Sequence, residues 1–429
     1  MSSSTKTYFA LFALVLASMT FGCSNKVDQA STLDPRFQSN DSVQFVQDGT
    51  SVASYGDVSA FASSISVSLS LTISPPPPSA TGGQQVYASD LQVYDNNLIT
   101  TYNVPGNVQR GWVDLIDVTS TVHPNLRDSQ YFPDTDINSV AIASDKFALI
   151  GAKEGVGTVL RTGTYDRKSL ALSATETFPT GYGSYAGTGI TYDSTGTNLA
   201  FTSGDTGGVN VVNSATLANI SAAVGVTDAR GITYHAPTNK YYVVKGQSGE
   251  VMSFNSSGAY VATTTIGGAT IAQSKSTIMA GNEFLLATSG DGGFTVLCAS
   301  DLGIAAQQAQ FVYSNYAALG LPGPTLTVSN AAAFGPGMIF VAAGQAGVRI
   351  YNFVKKSGVS PTACQNVQVS YMGYFAFSSG VSANNLAYKN LVTNPVKYIG
   401  TLYLADGGGG FKAVKIDADR SALNDIVEF

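Results

Sequence analysis

The feature that most constrains this chain is a unit that recurs seven times between residues 98 and 417. Each copy has a hydrophobic strand, a glycine-rich turn, a second strand of alternating pattern, and an Asp or Asn that opens another turn. Tight hairpins need a positive φ, which glycine adopts without a Cβ penalty. Glycines therefore mark the turns, at intervals of 41 to 63 residues: Gly111, Gly155, Gly208, Gly249, Gly293, Gly347 and Gly410.

The segments that flank these hairpins supply two further strands to each unit. Small-residue segments such as INSVAIA, GTGITYD and ARGITYH precede most hairpins, and AYVATTTI, AQQAQFVY, VSYMGYFAF and NDIVEF follow others. This spacing is typical of one four-stranded blade per unit. We therefore predict an all-β fold, a seven-bladed β-propeller over residues 88–429, with most of its hydrophobic core between the blades.

The hairpins resemble the LVIVD-repeat family of bacterial exported β-propeller lipoproteins. The resemblance is clearest in VDLIDV at Val113 to Val118, GVRIYNF at Gly347 to Phe353, and LYLADGGGGFKAVKID at Leu402 to Asp417. It covers roughly residues 88–429. Members of that family are commonly exported and their molecular activity is mostly undefined, so the resemblance implies a fold more than a function.

The amino terminus has the pattern of a secretory signal peptide over residues 1–22. Lys6 precedes an apolar stretch from Tyr8 to Met19, which is too short for a membrane span. Cys23 follows Gly22, which resembles the lipobox of bacterial lipoproteins, although Thr20 stands where that motif usually has Leu. We expect lipidation of Cys23, with Ser24 favouring the outer membrane; the alternative is ordinary cleavage, with Cys23 uninvolved.

Residues 23–87 are predicted to form a flexible, low-complexity tether with one candidate strand. Between residues 65 and 73, apolar side chains alternate with Ser and Thr at a period of two, which indicates a half-buried strand. Four consecutive prolines, Pro75 to Pro78, end it because proline lacks the N–H that a sheet needs. This strand either joins the propeller as an edge strand that helps to close the ring or belongs to the tether alone.

Charge and motifs narrow the possible functions. The net charge of −6, with only 22 Lys and Arg in 429 residues, argues against nucleic-acid binding, because phosphate recognition needs clustered basic side chains. The two histidines, His123 and His235, are too few for a zinc site, and no GxSxG motif nominates a nucleophile. Acidic turns such as Ser289 to Gly293 offer one carboxylate each and indicate hairpins, not calcium sites. The sequence predicts no catalytic residue, metal or cofactor.

The mouth of the central channel is the remaining candidate site. Polar residues occur in the loops that enter the inner strands, and we expect them to converge there: Asp136, Asn138, Asp228, Arg230, Lys275, Asn330 and Asn385. Arg230 and Lys275 can hold an anionic or sugar-like ligand by charge-assisted hydrogen bonds. Alternatively, these side chains only solvate the channel and satisfy loop backbone groups.

Two cysteines lie in adjacent repeats. Cys298 and Cys364 form a disulfide in an oxidising compartment if their geometry permits, and are otherwise small buried hydrophobes.

These observations favour a non-enzymatic envelope module. We expect a lipid-anchored disc that binds or scaffolds a protein or glycan partner in the cell envelope, with a membrane contact through the lipid. The alternative is a metal-dependent hydrolase resembling propeller lactonases, with Asp136 and Asp228 as the best metal ligands at the channel mouth.

Overall fold

The computed structural model describes residues 36–38, 45–46, 65–120, 124–166, 168–177, 184–271, 274–309, 323–355, 364, 366–377, 381–393 and 397–419. These residues form seven antiparallel sheets of four or five strands, and the described ranges contain no α-helix. The predicted seven-bladed β-propeller is therefore confirmed. Residues 1–35, including Cys23, and the NDIVEF segment lie outside the described ranges.

Three strands precede the first blade: β1 (Phe37–Gln38), β2 (Phe45–Val46) and β3 (Ile65–Ile73). Each blade is given from its innermost strand outwards. Blade 1 contains β4 (Tyr87–Tyr94), β5 (Asn97–Asn103), β6 (Gly111–Asp117) and β7 (Asn125–Phe132), and blade 2 contains β8 (Thr135–Ala143), β9 (Lys146–Lys153), β10 (Gly157–Tyr165) and β11 (Leu170–Thr177). Blade 3 contains β12 (Gly187–Tyr192), β13 (Asn198–Ser203), β14 (Gly208–Asn213) and β15 (Val224–Gly225).

Blade 4 contains β16 (Ala229–His235), β17 (Lys240–Lys245), β18 (Glu250–Asn255) and β19 (Tyr260–Thr265). Blade 5 contains β20 (Ile278–Ala280), β21 (Phe284–Thr288), β22 (Phe294–Cys298) and β23 (Ile304–Gln308), and blade 6 contains β24 (Ala331–Gly335), β25 (Met338–Ala342), β26 (Val348–Lys355) and β27 (Val367–Phe375). Blade 7 begins with β28 (Asn385–Thr393), β29 (Lys397–Ala405) and β30 (Phe411–Asp419). Short 3₁₀ turns occur at Pro78–Thr81, Ala236–Thr238 and Pro324–Leu326.

The glycines of the repeat act in two ways. Five of them have a positive φ in the turn between the second and third strands, as predicted: Gly155, Gly249, Gly293, Gly347 and Gly410. Gly208 has no positive φ and is the first residue of β14, so the turn prediction was wrong for it. Gly111 is also different, because it is the first residue of β6. A Cβ there would come within 2.6 Å of the Thr135 carbonyl oxygen of the next blade, so close packing between blades, not turn geometry, requires glycine.

Closure of the ring depends on β3. Blade 7 has three strands of its own, and β3 pairs antiparallel with β30 along its whole length as the fourth. Of the two alternatives for this strand, the structure shows the one in which it closes the ring. Ile73 is fully buried, and it packs with Val86 of the segment that leads into blade 1. Strand β3, which precedes blade 1 in the chain, is therefore part of the sheet of blade 7 and holds the two ends of the propeller together.

Most of the hydrophobic core is divided among the seven interfaces between blades. Each main cluster takes side chains from two consecutive blades; one joins Leu115 of blade 1 to Leu149 of blade 2, and another joins Leu285 of blade 5 to Tyr242 of blade 4. The cluster between blades 6 and 7 includes Ile65 of β3. Each sheet buries its faces against its neighbours, and among the described residues only a small cluster around Tyr374 lies within one blade.

Two further contacts fasten outlying segments. Cys298, at the end of β22, forms a disulfide with Cys364, which precedes the outer strand of blade 6. Arg36 forms an ion pair of 3.1 Å with Asp114 of blade 1, and both side chains are buried. Together with the pairing of β1 on β3 and of β2 on β27, this ion pair places residues 36–38 and 45–46 of the predicted tether region against the propeller rim.

Candidate functional site: the central channel

The inner strands enclose a cavity of about 440 Å³ on the propeller axis. Every blade contributes one apolar side chain at the same level; together these form what we call the channel ring: Leu91, Val140, Ile190, Ile232, Ile278, Ala332 and Leu386. Above it lie polar side chains at the strand starts, so the cavity has a polar mouth and an apolar floor.

We call the side of the disc at these strand starts the mouth face. Strands alternate in direction within a blade, so two kinds of connection lie on this face: from the second strand to the third, and from the outer strand to the next blade.

A closed ring of hydrogen bonds links the blades around the channel. In each blade a polar side chain donates to a backbone carbonyl oxygen of the next blade. Asn138, for example, donates to the Gly187 carbonyl over 2.9 Å, and Thr188 donates to the Ala229 carbonyl over 2.7 Å. This interblade ring has one donor per interface among the described residues: Ser89, Asn138, Thr188, Arg230, Thr288, Asn330 and Asn384.

A β-bulge places several of these donors. In blades 1 to 4 the register between the first and second strands shifts at the start of the inner strand, which inserts one extra residue: Ser89, Asn138, Thr188 and Arg230. Bulges re-aim the side chain of the inserted residue. The repeat therefore presents a donor towards the next blade at the same position each time.

Lys275 is the exception to this arrangement. It directly follows Ser274, whose carbonyl accepts the Arg230 hydrogen bond, but it lies three residues before Ile278 of the channel ring, whereas the donors of the six other blades lie two residues before theirs. Its ammonium group instead donates to the Ser89 carbonyl of blade 1, across the channel. Burial lowers the pKa of Lys275, and the nearby charge of Asp90 opposes this shift.

Asp90 carries the opposing charge inside the channel. Its carboxylate accepts hydrogen bonds from the Asn385 amide and, over 3.0 Å, from the Val140 backbone N–H. Burial raises the pKa of Asp90, whereas Lys275 and the hydrogen bonds, one of them from Ser139, oppose the shift. Buried charges of this kind are retained where they are paired and hydrogen-bonded.

Arg230 and Asp228 form a second charged pair at the mouth. The Arg230 Nε donates to the Asp228 Oδ1 over 2.7 Å, and the Asp228 Oδ2 accepts from the Gln247 backbone N–H over 2.6 Å. Gly246 allows this packing, because a Cβ there would lie 2.0 Å from the Arg230 Nε. The pair is thus engaged in joining loops of blades 4 and 5.

The structure brings together five of the seven side chains predicted for the channel mouth. The five predicted side chains that line the cavity are Asn138, Asp228, Arg230, Lys275 and Asn385. Asp136 does not line it; its carboxylate accepts from the backbone N–H groups of Val104 and Arg110 in blade 1, and burial raises its pKa to about 6. Asn330 is buried as a member of the interblade ring. The expectation of seven converging groups was wrong for these two.

Sequence reasoning missed Asp90 and four ring donors, one of which, Thr288, lies at the end of β21 and not at an inner-strand start. Asp90 is the one charged residue in strand β4, and a charge in an inner strand is the sequence feature that could have identified it. Ser89, Thr188 and Asn384 are small polar residues at the start of each inner strand, and aligning the repeats on those starts exposes the shared position.

Three observations bear on a metal site. Among the described residues no three His, Cys, Asp or Glu side chains are grouped closely enough to share an ion. Asp136 and Asp228, the pair on which the hydrolase alternative depends, are not brought together at the cavity, because only Asp228 lines it. His235 is bonded locally, to Thr238 and to the Asn282 carbonyl oxygen, and His123 lies outside the described residues.

No protein-family model matches this chain, and no curated protein matches it. No helix in the described ranges is long and apolar enough to cross a membrane. Among solved structures, the chain is similar to "Structure of U3-55K", with a TM-score of 0.54, 13% identity, and coverage of 83% of this chain and 98% of that one. It is also similar to "Crystal structure of RRP9 WD40 repeats", with a TM-score of 0.52, 14% identity, and coverage of 81% and 100%. At these identities the likeness shows the fold: a seven-bladed β-propeller like that of WD40 repeats.

Proposed function

We propose that this chain is an exported, lipid-anchored β-propeller of the bacterial envelope that binds a protein partner through its mouth face. The observation that carries the proposal is that the two most exposed large hydrophobic side chains, Val156 and Tyr185, lie in adjoining loops of this face. Of ten such side chains among the described residues, five lie on the mouth face: Tyr87, Val108, Val156, Tyr185 and Leu326. Tyr94 of β4, Tyr260 of β19 and Ile304 of β23 lie at strand ends of the opposite face.

The most exposed of these side chains lie together. Val156 is 55% exposed and Tyr185 is 57% exposed. Their loops are joined where the Thr158 backbone N–H donates to the Ser184 carbonyl over 3.0 Å. Exposed apolar side chains that share one face are typical of a protein-binding surface, and tyrosine buries a large area at low entropic cost. A glycan is the alternative partner, but the aliphatic side chains favour protein.

The disulfide between Cys298 and Cys364 supports export. Disulfides persist in oxidising compartments such as the periplasm and the cell surface, and are rare in the cytosol. This agrees with the signal-peptide pattern of residues 1–22. Lipidation of Cys23 remains part of the proposal.

The contact at Arg36 limits the reach of the proposed anchor. Arg36 lies thirteen positions after Cys23, and it is fixed to Asp114 at the rim of blade 1. A fully extended chain of that length spans at most roughly 45 Å. The propeller would therefore stay close to the membrane, with its rim and not its mouth face nearest to the anchor.

Crosslinking in intact cells tests the proposal. We expect the wild-type chain to crosslink to one envelope protein, and a Val156→Asp/Tyr185→Asp variant to lose that product while it keeps its fold. Tyr94→Asp, on the opposite face and 45% exposed, is the matched control and should crosslink normally. Equal crosslinking by the mouth-face variant, or no protein product from the wild type, would refute binding through this face. Retention of purified wild-type protein on an envelope glycan without a crosslinked protein would replace the protein partner by a glycan.

A further inference from the structure

The channel contains an ammonium group that the fold does not fully use. Lys275 donates to the Ser89 carbonyl, and its other two N–H groups have no hydrogen-bond partner among the described residues. The side chain is half-buried and lines the cavity. It directly precedes Ser276, which stands where the other blades place a donor to their neighbour, and the link between blades 5 and 6 is made instead by Thr288, which donates to the Asn330 carbonyl over 3.1 Å. Blade 5 thus departs from the repeat, and the departure directs a cation into the cavity.

Two neighbouring polar side chains of the channel, Asp90 and Asn138, are already engaged. Asp90 accepts from Asn385 and from the Val140 backbone N–H. Asn138 accepts from the Asn103 amide over 2.9 Å and donates to blade 3. Beside these engaged groups Lys275 offers free donor capacity, which suits a ligand that presents acceptor oxygens.

The floor of the cavity is apolar. The seven side chains of the channel ring lie below the polar mouth, and the smallest of them, Ala332, leaves the most room at blade 6. A ligand with a charged head alone would leave this surface uncovered, whereas a hydrocarbon body would bury it.

We propose that the channel binds a small monocarboxylate, whose carboxylate accepts hydrogen bonds from the free N–H groups of Lys275 and whose hydrocarbon body lies against the channel ring. A charge-assisted hydrogen bond inside a partly desolvated cavity is stronger than one between neutral groups. A protonated amine of the same length is disfavoured because it would meet the Lys275 charge. The proposal does not depend on the partner of the mouth face.

Calorimetric titration of the purified protein with hexanoate, hexanamide and hexylamine tests this inference. Hexanoate should bind at least tenfold more tightly than either of the other two. Lys275→Met should weaken hexanoate binding at least tenfold, and Lys168→Met, an exposed lysine outside the channel, should leave it unchanged. Absence of hexanoate binding to the wild type, equal binding of hexanamide, or unchanged binding by Lys275→Met would overturn the proposal.

A second variant covers the case in which Lys275→Met does not fold, as judged by circular dichroism. Ile232→Phe keeps the charge of Lys275 but fills the channel ring, and should abolish hexanoate binding. Hexanoate binding that survives this substitution would place the ligand outside the channel and refute the inference.

Discussion

The Lys275 ammonium of blade 5 donates a hydrogen bond to the Ser89 backbone carbonyl of blade 1, so one side chain spans the channel between blades that are not neighbours. The Ser89 hydroxyl donates in turn to the Ile137 carbonyl of blade 2 over 2.9 Å. Ser89 therefore belongs both to the interblade ring and to the bridge across it. The ring supports the fold, whereas the bridge is present in one blade only and points to a role in binding.

The interblade ring should contribute measurably to stability. Asn138→Ala removes the donor to the buried Gly187 carbonyl and should lower the free energy of unfolding by about 1–3 kcal/mol, because an unsatisfied buried acceptor loses its full solvation. Urea denaturation measures the change, with the exposed Asn219→Ala as control. A loss no larger than that of the control would show that the ring is energetically neutral.

The strand that closes the ring should be indispensable. Ile73 of β3 is fully buried, so Ile73→Ala should cost about 2–5 kcal/mol through lost burial and the cavity that it leaves. A chain that starts at residue 74 lacks β3 and should no longer unfold cooperatively. A chain that starts at residue 47 keeps β3 and should still unfold cooperatively. If the shorter chain unfolds as cooperatively as the longer one, β3 is not needed for closure.

The fold was predictable from sequence because its signals are local. Glycine turns, alternating strands and small inner segments recur within each unit, and seven units dictate seven sheets. The partner of β3 was not predictable, since alternation at residues 65–73 identifies a strand but says nothing of its pairing with β30, more than 300 residues away.

The candidate site was only partly predictable for a related reason. Polarity at the strand starts identified Asn138, Arg230 and Lys275, but not whether each faces the next blade or the channel. The bulge at Asn138 sets that direction, and it leaves Asp136 facing the loop of blade 1. Such orientation depends on contacts between repeats, which no single repeat encodes.

The disulfide should stabilise the oxidised protein. Cys298 and Cys364 are 66 residues apart, and removing the bridge should lower the free energy of unfolding by about 2–4 kcal/mol. Urea denaturation with and without dithiothreitol should show this loss in the wild type, whereas a Cys298→Ser/Cys364→Ser variant should be equally stable in both conditions. A wild type that is insensitive to reductant would contradict the prediction.

Lipidation of Cys23 predicts a specific change in location. Cys23→Ser should abolish metabolic labelling with palmitate and release the chain from the membrane fraction into the soluble envelope fraction, because acyl chains supply the anchor. Ser24→Ala is the matched control and should keep both properties. Label retained in the Cys23→Ser variant would show that Cys23 is not the modified residue.

Asp136 should make stability depend on pH. Burial raises its pKa from 3.8 to about 6 in the folded chain, so the folded state holds this proton more tightly than the unfolded state does. The contribution of Asp136 is therefore greatest below pH 3.8 and is lost as pH rises through about 6, a fall on the order of 1–3 kcal/mol. Asp136→Asn keeps an oxygen that can accept from Val104 and Arg110, but does not titrate. The free energy of unfolding, measured in urea between pH 4 and pH 7.5, should fall more steeply for the wild type than for this variant, and parallel profiles would show that Asp136 titrates alike in both states.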